Sequence, residues 1–211
     1  MKAVIFDMDG VVSDTQKLQV QVESELLKKY GIEMTTDELT ETYAGVSDRE
    51  WLKKLSEEYG VFIDIDKTLE EKWEKLFLLV KDGIDAMPGV IEFIDKLRTS
   101  GFKLAIASAS PVNFIEFVLS KLNLKDKFDV ITSSTEVEHG KPSPDVFLLA
   151  AKRLGLKPEE CIVIEDGVNG MVAAKRANMF CIGYVNRKVN KDLPADIIIS
   201  NFNEINIEEL K

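Results

Sequence analysis

Four apolar residues, Ala3 to Phe6, break off into Asp7-Met8-Asp9-Gly10. A short β-branched and aromatic run without alternation predicts a strand buried on both faces, the kind found in parallel sheets. Carboxylates beside such a strand are costly unless a cation, a set of donors or open water compensates them. In open α/β sheets, ligands bind at the carboxyl ends of the strands. One carboxylate as nucleophile and a second as proton carrier, held on one turn, suits group transfer. Taken alone, D-x-D-G also reads as a pair of solvated turn aspartates, so the rest of the chain decides.

From Met87 onward the pattern alternates between helix and strand, the signature of a parallel sheet with crossover helices. Strands are expected at KLAIAS (103–108), FDVITS (128–133), CIVIE (161–165), FCIGYV (180–185) and DIIIS (196–200). Pro88 is expected to start a helix that Gly101 stops. Ser110-Pro111 and Ser143-Pro144 read as N-cap and first-turn proline of two more helices, and Asn178 as a left-handed cap after residues 168–177. Between Lys17 and Lys81 the periodicity is helical throughout. Leu18, Val22, Leu26 and Leu27 make one apolar face, and Trp51, Leu52 and Leu55 a second. Trp73, Leu76, Phe77 and Val80 make a third. Ser47 with Glu50 reads as a capping box. The expected architecture is α/β: a Rossmann-like parallel sheet core from residues 1–14 and 82–211, with a small helical cap, residues 15–81, inserted after the first strand.

Composition narrows the function. A chain of 211 residues, 45% hydrophobic, can bury a normal core. Its formal net charge of -10, with no Lys/Arg-rich block, argues against nucleic acid as partner. No apolar run approaches 18 residues and no signal-peptide pattern opens the chain, so a cytoplasmic protein without a membrane partner is expected. Cys161 and Cys181 sit in apolar runs and read as buried small hydrophobes. His139 is the only histidine, which excludes a His-rich metal site. In the polar run EVEHGK it reads as a solvated loop residue.

Four polar positions follow successive predicted strands: Asp7/Asp9, Ser108, Lys141 and Glu165/Asp166. Parallel strands bring their carboxyl ends to one edge, so these groups should converge. Hard oxygen ligands without histidine suit Mg2+. Ser108, with the backbone N–H groups of Ala109 and Ser110 at a helix start, can receive an anion, and Lys141 supplies a point charge for it. Singly, these residues also read as a helix-approach hydroxyl, a loop lysine and a capping turn. In order, each at a strand end, they read as phosphoryl transfer on a small phosphorylated metabolite.

With these motifs the chain resembles the haloacid dehalogenase superfamily, in its phosphatase and β-phosphoglucomutase-like branch. Asp7-Met8-Asp9-Gly10-Val11-Val12 with Asp14-Thr15 is similar to the first family motif and Ser108 to the second. Lys141-Pro142-Ser143-Pro144-Asp145 is similar to the third, and Glu165-Asp166-Gly167 with Gly170 to the fourth. The resemblance implies that Asp7 is the nucleophile forming an aspartyl-phosphate. Asp9 would be the acid and then the base, and Ser108, Ala109 and Lys141 would bind the phosphoryl group. Mg2+ would be held by Asp7, the Asp9 carbonyl and Asp166, with Glu165 direct or through water. Two departures bear on substrate: Gln19 stands where many relatives have histidine, and Asp48-Arg49 places the cap arginine one residue late. Both weaken a mutase reading. Arg49 and Gln19 are the candidate substrate contacts from the cap. The expected activity is a Mg2+-dependent phosphomonoesterase, with a β-phosphoglucomutase-like mutase or a non-catalytic binding protein on the same fold as alternatives. The motifs do not specify the substrate or the oligomeric state.

Overall fold

The computed structural model describes residues 1–185 and 192–210. Six strands form one parallel sheet: β1 (Ala3–Phe6), β2 (Lys103–Ser108), β3 (Val130–Ser133), β4 (Cys161–Glu165), β5 (Phe180–Tyr184) and β6 (Ile197–Ile199). Their spatial order is β3-β2-β1-β4-β5-β6. Parallel neighbours need crossover connections. Helices α5 (Val90–Thr99), α6 (Val112–Lys121), α7 (Asp145–Leu154) and α8 (Val168–Arg176) lie in those connections.

The two faces of the sheet are read directly from alternation along β1. Val4 and Phe6 point into one core cluster with Val90, Phe93 and Phe114, which come from α5 and α6. Ala3 and Ile5 point into the other with Val146 and Phe147 of α7 and Met171 of α8. All four β1 residues are fully buried, as a central parallel strand requires. In this strand order the chain reverses its winding between β1 and β4, where the connections leave an open crevice. Phe6 pairs with Ile164, so Asp7 and Glu165 emerge side by side at that crevice.

Four helices separate β1 from α5: α1 (Gln16–Lys28), α2 (Thr36–Tyr43), α3 (Asp48–Tyr59) and α4 (Ile65–Val80). They enclose a small core of their own, including Leu27, Leu39, Trp51, Leu52 and Leu55. The other side of α1, Val22 and Leu26, joins the main core with Leu76 and Val80 of α4.

Several local expectations change. Helix α2 has no counterpart in the sequence reading, because TDELTETY offers only Leu39 and Tyr43 as buried positions, too few for a visible period. Its capping box is Thr35 with Glu38, each side chain bonded to the other's backbone N–H. Ser47 precedes α3 but makes no side-chain cap bond; it is pressed against Gly140 instead, where a Cβ would lie 2.6 Å from the Ser47 Cβ. Helix α5 starts at Val90 after a left-handed Gly89, not at Pro88. Ser110 and Ser143 are not N-caps either. The helices start after Pro111 and Pro144; the Ser110 hydroxyl donates to Asp9 and that of Ser143 to Asp145.

Candidate active site

The turn after β1 is tied by Met8, whose carbonyl accepts the backbone N–H groups of Val12 (2.9 Å) and Ser13 (3.0 Å). It holds Asp7 and Asp9 at the head of the crevice, 5% and 6% exposed. The two carboxylates have different environments. Asp7 accepts from the Lys141 ammonium at 2.5 Å, and the same ammonium reaches Glu165 at 2.8 Å. Asp9 is held by hydroxyls: Thr15 donates to Oδ1 at 2.5 Å, while Ser108 (3.1 Å) and Ser110 (2.9 Å) donate to Oδ2.

Lys141 is completely buried, its ammonium 4.9 Å from the centroid of the Phe147 ring. Burial opposes its charge, but Asp7 and Glu165 overcome that and leave its pKa above the usual lysine value. Burial foremost, with Glu165 beside it, pushes Asp7 up to about 8 against the pull of Lys141. One ammonium is not enough positive charge for this group. Carboxylate oxygens of Asp7, Glu165 and Asp166 lie within 4.8 Å of one another, an all-oxygen set that suits a small divalent cation. The residues therefore fit a metal on the observed donor chemistry. Glu165 is further fixed by the backbone N–H groups of Asp166 (3.2 Å) and Gly167 (3.1 Å).

The structure brings together Asp7, Asp9, Ser108, Ala109, Lys141, Glu165 and Asp166, all seven expected in the core. Ser108 is fully buried and its hydroxyl is directed at Asp9. Ala109 and Ser110 line the cavity in front of it. From the cap, Gln19 arrives as expected, its amide donating to Ser110 at 3.2 Å. Arg49 does not. It is exposed, pairs with Asp66 at 2.6 Å, and borders an outer cleft of about 550 Å3 rather than the inner cavity. The residue before it, Asp48, faces the inner cavity. His139 is 63% exposed and lies outside both spaces.

Sequence reading missed a charged cluster on the cap side of the cavity. Lys72, 2% exposed, donates to Glu23 at 2.7 Å and Asp48 at 2.5 Å, and its ammonium lies 4.7 Å from the centroid of a Trp73 ring. Burial raises the Glu23 carboxyl despite Lys72, with Asp48 adding to the rise. The missed signal is positional. Lys72 lies four residues before Leu76 and eight before Val80 on the buried stripe of α4, and Glu23 lies four before Leu27 on α1. Opposite charges on two inward stripes mark a buried pair.

The cap is closed on the core. Asn169 of α8 donates to the carbonyls of Thr42 (3.3 Å) and Ala44 (3.2 Å), and Val46 forms a parallel bridge with Lys141. The enclosed cavity measures about 30 Å3, room for water but not for a sugar. No helix among the described residues is long and apolar enough to cross a membrane.

Known proteins share this fold. Residues 4–184 match the family model described as haloacid dehalogenase-like hydrolase. The chain is 34% identical to a phosphorylated carbohydrates phosphatase of Thermotoga maritima, over 85% of this chain and 82% of that protein. It is 30% identical to hexitol phosphatase B of Escherichia coli, over 99% and 96%. The crystal structure of β-phosphoglucomutase from Clostridium difficile superimposes with a TM-score of 0.86 at 30% identity, covering all of this chain and 95% of that one. With the parallel sheet, the closed helical cap and the Asp7/Asp9 turn in place, the chain belongs to the haloacid dehalogenase-like hydrolases.

Proposed function

We propose that the protein is a Mg2+-dependent phosphatase that hydrolyses a small phosphorylated carbohydrate through an aspartyl-phosphate on Asp7. The observation that carries this is the contrast between the two aspartates. Asp7 lies against Lys141 and two further carboxylates, while the Asp9 carboxylate, two residues away, is held by three hydroxyls. One is built to face a phosphorus, the other to handle a proton.

A carboxylate oxygen of Asp7 attacks the phosphorus, and the bond from phosphorus to the sugar oxygen breaks. Asp9 gives its proton to that oxygen, so the leaving group departs as an alcohol. Asp9 then takes a proton from water, whose oxygen attacks the phosphorus and displaces the Asp7 carboxylate. The three hydroxyls on Asp9 fix the direction from which it works. Lys141 keeps the nucleophile and the incoming anion from repelling each other. Asp7, Glu165 and Asp166 would hold Mg2+, which would supply further positive charge at the phosphoryl oxygens. The cap must open to admit substrate into a cavity of this size, and its closure excludes bulk water.

The names of the Thermotoga and Escherichia relatives support a carbohydrate phosphate as substrate. A phosphosugar mutase is the second reading, favoured by the structural likeness to β-phosphoglucomutase. The test is phosphate release over a panel of sugar and hexitol phosphates, with Mg2+ and after EDTA. The expected result is release that requires Mg2+. Full activity after exhaustive chelation overturns the metal assignment. Faster conversion of β-glucose 1-phosphate to glucose 6-phosphate than release of phosphate establishes the mutase.

A further inference from the structure

The cap side of the inner cavity holds two carboxylates and a carboxamide whose hydrogen bonding is incomplete. Lys72 engages Glu23 through Oε1 and Asp48 through Oδ1, and the Trp51 indole N–H also goes to Asp48 Oδ1 at 3.1 Å. Gln19 uses its amide nitrogen on Ser110. Glu23 Oε2, Asp48 Oδ2 and the Gln19 carbonyl oxygen accept no hydrogen bond from the described residues. All three residues line the cavity that contains Asp7, and Glu23 is only 8% exposed. These three oxygens are not sealed from solvent, so their free acceptor capacity is open to a ligand that brings donors.

The same wall offers no free positive charge. Among the described residues lining the cavity are six carboxylates and no lysine, arginine or histidine. The nearby ammonium groups, Lys72 and Lys141, are each buried against two carboxylates. Arg49 lies in the outer cleft, paired with Asp66. A second phosphate in the inner cavity would meet carboxylates without a partner cation. Trp51 and Trp73 also line this space and add apolar surface beside the acceptors.

From this we infer that the cavity selects a phosphomonoester whose leaving group is a neutral chain of hydroxyls, and excludes one that carries a second phosphate. Glu23 and Asp48 are the specificity-determining residues, and Lys72 is their positioning residue. The inference rests on the phosphatase reading and deepens it. A mutase working through aspartyl-phosphate must pass a sugar bisphosphate through its site, so this wall disfavours that chemistry. Acceptors spread over α1 and α3 suit several hydroxyls along a chain better than one ammonium group.

The experiment compares kcat/KM of the wild-type protein, with Mg2+, on sorbitol 6-phosphate, fructose 1,6-bisphosphate, glucosamine 6-phosphate and acetyl phosphate, alongside Glu23→Gln and Asp48→Asn. The expected result is at least a tenfold preference for sorbitol 6-phosphate over the bisphosphate. In both variants the ratio of sorbitol 6-phosphate to acetyl phosphate activity should fall at least tenfold, mainly through KM. The inference is overturned by equal use of the bisphosphate, by an unchanged ratio in both variants, or by a tenfold preference for the amino sugar. The bisphosphate comparison needs no variant, so it stands even where a substitution disturbs folding. Acetyl phosphate separates the two levels: turnover of it without polyol selectivity removes only this inference. Absence of phosphate release from every ester removes the phosphatase reading itself.

Discussion

Gly10 and Asp166 approach so closely that a Cβ on residue 10 would lie 2.4 Å from Asp166 Oδ2. The turn after β1 and the turn after β4 are thus packed backbone against carboxylate, which holds Asp166 toward Asp7 and Glu165. Gly10 also has φ +89°, a region where a side chain costs roughly 1–2 kcal/mol. Gly10→Ala should lower stability by at least that amount and raise the Mg2+ concentration needed for half-maximal activity at least tenfold. Gly31, at φ +72° with open space around its Cβ direction, is the control. Gly31→Ala should show the strain in urea unfolding and no change in Mg2+ requirement.

The different settings of the two aspartates predict different kinetic defects. Asp7→Asn keeps the shape and removes the nucleophile, so turnover should fall below a hundredth of wild type in folded, Mg2+-saturated protein. Retention of a tenth of the activity would exclude the covalent route. Asp9→Asn should slow both formation and hydrolysis of the phosphoenzyme, by about 10²- to 10⁴-fold for loss of a positioned proton carrier. Rapid-quench measurement of the two steps checks this, and unchanged rates would remove Asp9 from proton transfer.

Lys72 binds three cap helices together, because its partners Glu23 and Asp48 lie on α1 and α3. Removing one member of a buried ion pair leaves unpaired charge, at a cost of about 3–5 kcal/mol. Lys72→Met should lower the urea midpoint accordingly, and adding Glu23→Gln to it should recover part of the loss. Strict additivity of the two substitutions would show that the pair is not coupled.

Asn169 clasps the cap from the core through the Thr42 and Ala44 carbonyls. Asn169→Ala removes both bonds and replaces no residue that lines the cavity. The Thr42–Val46 segment should then be cleaved at least several-fold faster by protease under native conditions, with overall stability changed by about 1–2 kcal/mol. An unchanged cleavage rate would show that the bridge between Val46 and Lys141 holds the cap shut without it.

Local chemistry carried much of this protein. The strands Lys103–Ser108 and Cys161–Glu165 coincide with their apolar runs. Polar residues at strand ends foretold the convergence of Asp7, Lys141, Glu165 and Asp166, because parallel strands leave their carboxyl ends on one edge. Short or polar elements were less legible. Helix α2 has too few apolar residues to show a period, and the Ser110 hydroxyl, read as a cap, is taken by Asp9 from the turn after β1, about a hundred residues away in the chain. The cap wall depended most on tertiary structure. Asp48 and Arg49 are neighbours in sequence, yet successive residues on a helix point about 100° apart. Docking of α3 through Trp51, Leu52 and Leu55 turns Asp48 toward the cavity and Arg49 toward solvent. Pattern alone could not choose between them, because the choice lies in how the helix is rotated against a core assembled from distant parts of the chain.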